Sequence, residues 1–234
     1  MRRPPLDLSL YLVTDTELCD RLGVAATVLA AVSAGVSVVQ LRDADATDDE
    51  LVGLGREVIA VLRGTGIPVI VNDRLHVVDA IGAAGGHVGQ SDLGAAQART
   101  LLGPAAYLGL SVQTLEHVAA AREHADETID YLGVGPVWGT TTKLDAATPG
   151  GVERLRQIAA ASPWPCVAIG GITLERLPEV PGTGAAGAAV VSAICGQPDV
   201  AAATRDLRAA WDRAVAWGRA AAWDGAAAWD GATR

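Results

Sequence analysis

One pattern recurs along the chain and constrains its fold more than any other feature. A short run of apolar, often β-branched residues ends at a polar residue or a glycine, and an Ala- and Leu-rich amphipathic stretch follows. Apolar runs that are separated by helices are typical of parallel strands buried on both faces of a sheet. The pattern predicts eight strands, at residues 8–14, 36–41, 68–71, 86–89, 107–112, 131–135, 166–169 and 188–191.

The residues at the strand ends favour a closed barrel over the alternative, a doubly wound open sheet. A barrel enzyme builds its active site from the carboxyl ends of all its strands, whereas an open sheet gathers such residues at one switch point. Here nearly every predicted strand ends in polar residues or glycine: Asp15, Gln40, Arg42, Asn72, Asp73, Gln90, Asp92, Ser111, Gly135, Gly170, Gly171 and Ser192. We therefore predict an α/β fold, a single-domain (β/α)8 TIM barrel.

Helices are predicted between the strands, for example at residues 48–63, 115–125, 151–161 and 200–217. The clearest helix start is the run Thr47-Asp48-Asp49-Glu50, because a hydroxyl cap and acids in the first turn both stabilise the amino end of a helix. The catalytic barrel is expected to occupy residues 1–210. Residues 211–234 are rich in Ala, Trp and Gly, and they are expected to extend the last helix or to form a tail.

The carboxyl-terminal segment has a repeat of its own, with Trp211, Trp217, Trp223 and Trp229 spaced six residues apart. Six residues advance a helix by about 240°, so these tryptophans do not form one stripe. The glycines between them also weaken a helix. A frayed, low-complexity extension is the simpler interpretation. A surface that docks a partner or a second subunit is the alternative, because exposed tryptophan is costly in water.

Charge and cysteine content limit the classes of partner and compartment. The 234-residue chain has a net charge of −9 and three cysteines without CxxC spacing. An acidic protein is poorly suited to nucleic acid or to an anionic membrane, and no segment approaches the roughly 18 apolar residues of a membrane span. Scattered cysteines fit a reducing compartment. We expect a cytoplasmic protein with small-molecule partners. A homo-oligomer is possible, since the sequence does not determine the oligomeric state.

Two aspartates follow neighbouring predicted strands, Asp73 after the third and Asp92 after the fourth. Each alone is more typical of a helix N-cap. Adjacent strands lie about 4.8 Å apart, so the two carboxylates can meet across one cation, and Mg²⁺ takes one or two protein carboxylates together with phosphate oxygens and water. The pair therefore indicates a Mg²⁺ site. The four histidines show no metal-ligand spacing, and each is interpreted as structural.

Gln40 and Arg42 alternate with Leu41, so both side chains point to one side of the second strand. A guanidinium at a barrel mouth suits phosphate oxygens. An ion pair of Arg42 with Asp43 or Asp45 is the alternative.

The loops after the last three strands carry groups that suit phosphate. The sixth is followed by Thr140-Thr141-Thr142 and by Lys143, the only lysine of the chain. Gly170-Gly171 follows the seventh strand and Ser192 follows the eighth. Hydroxyls, backbone N–H groups and a cation together make a phosphate cradle, and the last two loops of a barrel commonly supply one.

Read in order, these motifs resemble the thiamine-phosphate synthase family over most of the chain, from Leu10 to about Trp211. The resemblance rests on the motifs YLVTD at 11–15, VQLR at 39–42, VND at 71–73, HVGQSD at 87–92, GLS at 109–111, GVGPV at 133–137, TTTK at 140–143, AIGGI at 168–172 and VSAI at 191–194. The family joins hydroxymethylpyrimidine diphosphate to thiazole phosphate and releases pyrophosphate.

The resemblance implies a role for each site residue, and it implies a dissociative reaction in which pyrophosphate departs before the thiazole nitrogen attacks. Mg²⁺ would be held by Asp73 and Asp92. The pyrimidine diphosphate would contact Gln40, Arg42, Asn72, Ser111 and Lys143, of which Arg42, Ser111 and Lys143 would be catalytic. The thiazole phosphate would contact Thr140, Thr142, Gly171, Val191 and Ser192.

One residue departs from the family pattern. The family has a lysine two positions after the arginine, and this chain has Ala44. Loss of one charge-assisted contact costs about 1.5–3 kcal/mol unless another group replaces it. The alternatives are a thiazole tautomerase-like paralogue and a non-catalytic barrel that senses thiamine phosphates. The tautomerase places a catalytic histidine two positions after the serine of strand five, where this chain has Gln113, and this favours the synthase.

Overall fold

Eight short parallel strands pair in chain order, and the last pairs with the first to close a barrel in the computed structural model. The structure describes residues 3–124, 127–142 and 147–229, with the backbone alone for 219–229. The strands are β1 (Leu10–Val13), β2 (Val38–Leu41), β3 (Val69–Asn72), β4 (Gly85–Val88), β5 (Tyr107–Val112), β6 (Tyr131–Val134), β7 (Cys166–Ile169) and β8 (Gly187–Val190). The predicted TIM barrel is confirmed, and each predicted strand overlaps an observed one.

The helices alternate with the strands. They are α1 (Val24–Ser33), α2 (Asp48–Val61), α3 (Val78–Ile81), α4 (Ala95–Leu102), α5 (Leu115–Ala121), α6 (Gly151–Ala161) and α7 (Val200–Trp229). One short 3₁₀ helix, Leu75–Val77, leads into α3, and two others, Leu177–Glu179 and Pro181–Thr183, connect β7 to β8. The predicted start of α2 is confirmed: Thr47 Oγ1 accepts from Glu50 N at 3.3 Å, and Thr47 N donates to the Glu50 carboxylate at 2.8 Å.

Two apolar layers stabilise the barrel. One face of the strands packs against the helices, where residues such as Leu12, Val39 and Val71 are fully buried. The other face fills the interior with a smaller cluster: Leu8, Tyr11, Val13, Val38, Ile70, Tyr131, Val167 and Ala189. Burying one aliphatic side chain contributes about 1.5–3 kcal/mol, so the two layers together commit the chain to this closed sheet.

The amino-terminal segment closes the amino ends of the strands. Arg3 Nε donates to Asp130 at 2.6 Å, just before β6, and Arg99 donates to the other oxygen of that carboxylate at 2.8 Å. Leu8 is buried in the interior cluster, and its carbonyl lies so close to Gly187 that any side chain there would collide with it. The interior is therefore open toward the carboxyl ends of the strands.

The last helix continues through residue 210 to Trp229. Trp211 is buried in the core with 5% of its surface exposed, whereas Trp217 is 79% exposed. The two tryptophans face different directions, as the six-residue spacing predicts. The side chains of Trp223 and Trp229, and all of Gly231, lie outside the described residues. Among the described helices, none combines the length and the apolar character that crossing a bilayer requires.

Candidate active site

A cavity of about 880 Å³ opens at the carboxyl ends of the strands. It brings together every predicted site residue that the structure describes: Gln40, Arg42, Asn72, Asp73, Asp92, Ser111, Thr140, Thr142, Gly171, Val191 and Ser192. Lys143 lies outside the described residues. Residues spread over seven of the eight strands and their loops thus meet in one space, as expected for the active face of a TIM barrel.

Asp73 has an unusual backbone. Its φ is +58°, the only positive value of a non-glycine residue in the described chain. Its N–H donates to the carbonyl of His87 at 2.8 Å, which extends the pairing of β3 with β4 beyond Asn72. A left-handed residue other than glycine costs of order 1–3 kcal/mol and is concentrated at functional sites. The backbone therefore turns sharply at the residue whose carboxylate the sequence assigns to a metal.

Asp92 is held by its own loop, since its Oδ2 accepts from the N–H of Gly89 at 2.7 Å. Neither aspartate stands at the N-cap position of the helix that follows it. The residue at the N-cap of the 3₁₀ helix after β3 is Arg74, and the one at the N-cap of α4 is Gly94. Both residues line the cavity.

Two carboxylates at one cavity are hard oxygen donors of the kind that Mg²⁺ prefers. The described residues contain no group of three or more His, Cys, Asp or Glu side chains placed to hold a metal. Two carboxylates alone are fewer ligands than Mg²⁺ takes, so a Mg²⁺ ion held by them would complete its shell with ligand oxygens and water.

Arg42 follows β2, and Thr14 holds its backbone through two hydrogen bonds. Its N–H donates to Thr14 Oγ1 at 2.9 Å, and the Thr14 hydroxyl donates back to the carbonyl of Arg42 at 3.2 Å. The predicted alternative, an ion pair with Asp43 or Asp45, is not among the ion pairs of the described residues. Asp43 instead accepts from Thr16 Oγ1 at 2.7 Å and from the backbone N–H of Ala46 at 3.0 Å.

Arg74 is a site residue that the sequence did not single out. Its guanidinium donates to the carbonyls of Ala46 at 2.5 Å and Asp43 at 2.6 Å, and it lies 3.5 Å from the carboxylate of Asp48. Arg74 thus ties the end of β3 to the loop between β2 and α2, and Ala44 belongs to that loop. Its position directly after Asp73 was the signal available in the sequence.

The loops after β6 and β7 are joined by their backbones. Val137 N donates to Ile169 O at 2.9 Å, and Trp138 N donates to Gly170 O at 3.0 Å. Gly171 has a φ of +62°, and a Cβ atom there would lie 2.4 Å from the carbonyl oxygen of Gly139. Only glycine allows this close approach.

Above these loops, the hydroxyls of Thr140 and Thr142 lie 2.9 Å apart. Arg176, a second residue that the sequence did not single out, lies 5.7 Å from the centre of the Trp138 ring and donates to the carbonyl of Gly171 at 2.8 Å. It adds a cation to the rim of the cavity on this side, since it lines the same space.

Polar side chains also reach the cavity from inside the barrel. Tyr11, Tyr131 and His87 are each at least 90% buried, and hydrogen bonds connect them. Burial is the main cause that raises the pKa of both phenols. His87 is satisfied by hydrogen bonds, as the sequence interpretation expects, yet it also lines the cavity. Its bond to Ser111 connects it to the predicted site.

Sequence and structure comparisons give consistent relatives. The model of a family described as thiamine monophosphate synthase matches residues 10–194. The chain is 46% identical over 204 residues to a thiamine-phosphate synthase of Azorhizobium caulinodans, covering 87% of this chain and 95% of that protein. It is 45% identical over 192 residues to one of Psychrobacter sp., covering 82% and 90% of the two chains.

Among solved structures, the thiamine phosphate pyrophosphorylase of Pyrococcus furiosus superposes with a TM-score of 0.80 at 33% identity. The match covers 89% of this chain and 98% of that one. Motifs, fold and relatives agree over the whole barrel, and the chain belongs to the thiamine monophosphate synthase family.

Proposed function

We propose that this chain is a transferase that joins hydroxymethylpyrimidine diphosphate to thiazole phosphate, forming thiamine phosphate and releasing pyrophosphate. One observation carries the proposal. Every described residue to which the resemblance gives a role in this reaction lines the same cavity. The family membership and the relatives' names support it independently.

In this proposal, Asp73 and Asp92 hold Mg²⁺. A cation held there would neutralise charge on the diphosphate, which would make it a better leaving group. Arg42 contributes a fork of donors that matches phosphate oxygens, and Lys143 adds a second cation. Gln40, Asn72 and Ser111 position the pyrimidine diphosphate around these charges.

The bond between the pyrimidine methylene carbon and the diphosphate oxygen breaks first, and pyrophosphate leaves with the electron pair. The thiazole nitrogen then donates its lone pair to the resulting pyrimidine-stabilised carbocation. A reaction in this order depends on charge neutralisation at the leaving group and on alignment of the two rings more than on a general base. The cavity fits that requirement because Arg42, Asp73, Arg74 and Asp92 follow the neighbouring strands β2, β3 and β4 and line it together.

The thiazole phosphate is placed on the other side, at Thr140, Thr142, Gly171, Val191 and Ser192. The left-handed backbone of Gly171 and the neighbouring hydroxyls of Thr140 and Thr142 support this placement. Backbone N–H groups in a turn and hydroxyl groups are suitable donors to a single phosphate group.

A pyrophosphate-release assay tests the proposal, with both substrates present and then with each omitted in turn. Release and thiamine phosphate formation are expected only with both substrates. Tight binding of the substrates in calorimetry without any release would select the sensing barrel instead.

The tautomerase alternative is disfavoured by one residue. Gln113 lines the cavity at the position where that paralogue has its catalytic histidine, and an amide is no general base at neutral pH. Turnover of the thiazole carboxylate phosphate tautomer alone would revive this alternative. We also propose a cytoplasmic location, which is supported by three buried cysteines that are free thiols.

A further inference from the structure

Five side chains form a continuous series of hydrogen bonds in the interior of the barrel, which we name the buried chain. Gln40 Nε2 donates to Tyr11 Oη at 2.9 Å, and Tyr11 Oη lies 2.8 Å from Tyr131 Oη. Tyr131 Oη lies 3.1 Å from His87 Nδ1, and His87 Nε2 lies 2.8 Å from Ser111 Oγ. The two ends, Gln40 and Ser111, are proposed substrate contacts, whereas the three middle residues have no role in the reaction described so far.

The sheet reserves space for this chain. A Cβ atom at Gly109 would lie 2.3 Å from His87 Nδ1 and 2.3 Å from Tyr131 Cζ. A Cβ atom at Gly133 would lie 2.9 Å from His87 Cε1. Interatomic distances this short do not occur, so glycine at both positions is a condition for the imidazole and the phenol to meet.

The direction of the protons follows from the first residue. An amide NH₂ can only donate, so Tyr11 Oη accepts from Gln40. The described hydrogen bonds offer the Tyr11 proton one acceptor, Tyr131 Oη, so we infer that Tyr11 donates to Tyr131. Tyr131 in turn gives its single proton to His87 Nδ1. Because burial raises the pKa of both phenols, both keep the proton that they donate at neutral pH.

An imidazole that accepts at Nδ1 is neutral and carries its proton on Nε2. It therefore donates to Ser111 Oγ. Because the Ser111 hydroxyl accepts from His87, its own proton is free to be donated to another acceptor. Ser111 lines the cavity, so a ligand bound there can be that acceptor.

We propose that Tyr11, Tyr131 and His87 are positioning residues that hold His87 as the neutral Nε2–H tautomer and thereby make the Ser111 hydroxyl a hydrogen-bond donor to the diphosphate substrate. The tautomer is a property of the free protein, and only the identity of the acceptor rests on the proposed function. The order matters electrostatically. With the opposite order, Ser111 would donate to His87 and present lone pairs to an anion.

Nitrogen-15 NMR of the imidazoles tests the tautomer without any substrate. The chain has four histidines, and His87→Gln identifies the signals of His87. His117 serves as an internal reference, because its Nδ1 accepts from the Gln113 N–H at 3.2 Å. We expect His87 to show an unprotonated Nδ1 and a protonated Nε2 at pH 7. An Nδ1–H tautomer or an imidazolium overturns the proposal, whatever the enzyme's activity.

Tyr131→Phe tests the consequence, since it keeps the ring and removes the donor to His87. We expect mixed His87 tautomers and a fall of about tenfold in kcat/KM for the diphosphate substrate, the effect of one lost hydrogen bond to a charged group. The KM for the thiazole phosphate should stay unchanged. Tyr107→Phe is the matched control, because the Tyr107 hydroxyl donates to Pro4 O at 2.9 Å at the closed end of the barrel.

A double-mutant cycle shows whether Tyr131 acts through Ser111. In a Ser111→Ala background, Tyr131→Phe should cause less than a twofold further loss of kcat/KM, because the donor that it orients is already gone. Additive losses in the two variants would contradict the proposal. If the wild-type protein releases no pyrophosphate, the proposed function fails, while the NMR result still decides the proton order.

Discussion

The two sides of the cavity would recognise phosphate by different means. The charged side, at the ends of β2 to β4, presents the side chains of Arg42, Asp73, Arg74 and Asp92. The backbone side, at the ends of β6 to β8, presents turned main chain at Gly170 and Gly171, the threonine hydroxyls and Ser192, with Arg176 at its rim. A diphosphate with a bound cation calls for full charges, whereas one phosphate is held well by N–H groups and hydroxyls.

This difference determines which substitutions should matter on each side. Removing a carboxylate or a guanidinium acts on the charged side through electrostatics. The backbone side is more sensitive to steric changes. Its loops approach each other closely at glycines, and an added side chain there would push the main chain out of position. Four experiments test this comparison, from the largest expected effect to the smallest.

The largest effect is expected at Asp73. Asp73→Ala should lower kcat by at least about a thousandfold while the protein stays folded, because the proposed metal loses one of two carboxylates. Chelation with EDTA should abolish turnover in the same way. Asp79→Ala, at an exposed position on α3, is the control for loss of one charge. Full activity of the Asp73 variant, or unchanged turnover in EDTA, would contradict the proposed metal site on the charged side.

Gly171→Ala should act on the backbone side alone. The added Cβ meets the Gly139 carbonyl oxygen at 2.4 Å on a backbone with a φ of +62°, so one of the two loops must move. We expect the KM for the thiazole phosphate to rise at least about tenfold and the KM for the diphosphate to change little. Gly182→Ala is the matched control, since nothing lies within 4 Å of its new Cβ. Equal effects on both substrates would mean that the two sides are not separate.

Arg74→Met should weaken the charged side without removing a proposed metal ligand. The guanidinium gives up its bonds to Asp43 O and Ala46 O, so the loop after β2 loses its link to β3. We expect about a fivefold rise in the KM for the diphosphate and a Tm lower by a few degrees. Arg56→Met is the control, because Arg56 donates to Ala80 O at 2.9 Å on the outer surface. An unchanged KM would show that the loop needs no such anchor.

The smallest effect is expected for Ala44→Lys. Ala44 is exposed and lines the charged side, where Arg42 already provides a cation. The added ammonium should preserve activity or lower the KM for the diphosphate by no more than a few-fold, as for one solvent-screened charge. Substrate titrations of the variant and the wild type give this ratio. A large loss of activity would mean that the charged side has reorganised around alanine.

Most of the fold was predictable from the sequence because the barrel repeats one local rule. Apolar runs ending in polar residues or glycine marked all eight strands, and the same strand ends predicted cavity residues such as Gln40, Asp73 and Ser111. The helices were harder to bound, since the segment after Leu115 ends as a helix at Ala121 rather than at residue 125.

The residues that the sequence did not single out depend on geometry between distant segments. His87 reads as one polar residue in an apolar strand. Its role depends on the register that places it opposite Asn72 and Gly109, and local periodicity does not specify that register. Arg74 likewise bridges two loops through backbone carbonyls, which carry no signature in the amino-acid sequence.

The closed amino end of the barrel has a consequence for the traffic of ligands. Arg3, Asp130 and Leu8 lie at that end, whereas the cavity opens at the carboxyl ends of the strands. In a pocket with one opening, the ligand that sits deeper enters first and leaves last. If both substrates use this opening, we expect the one that binds deeper in the barrel to bind first and the product that lies deeper to leave last.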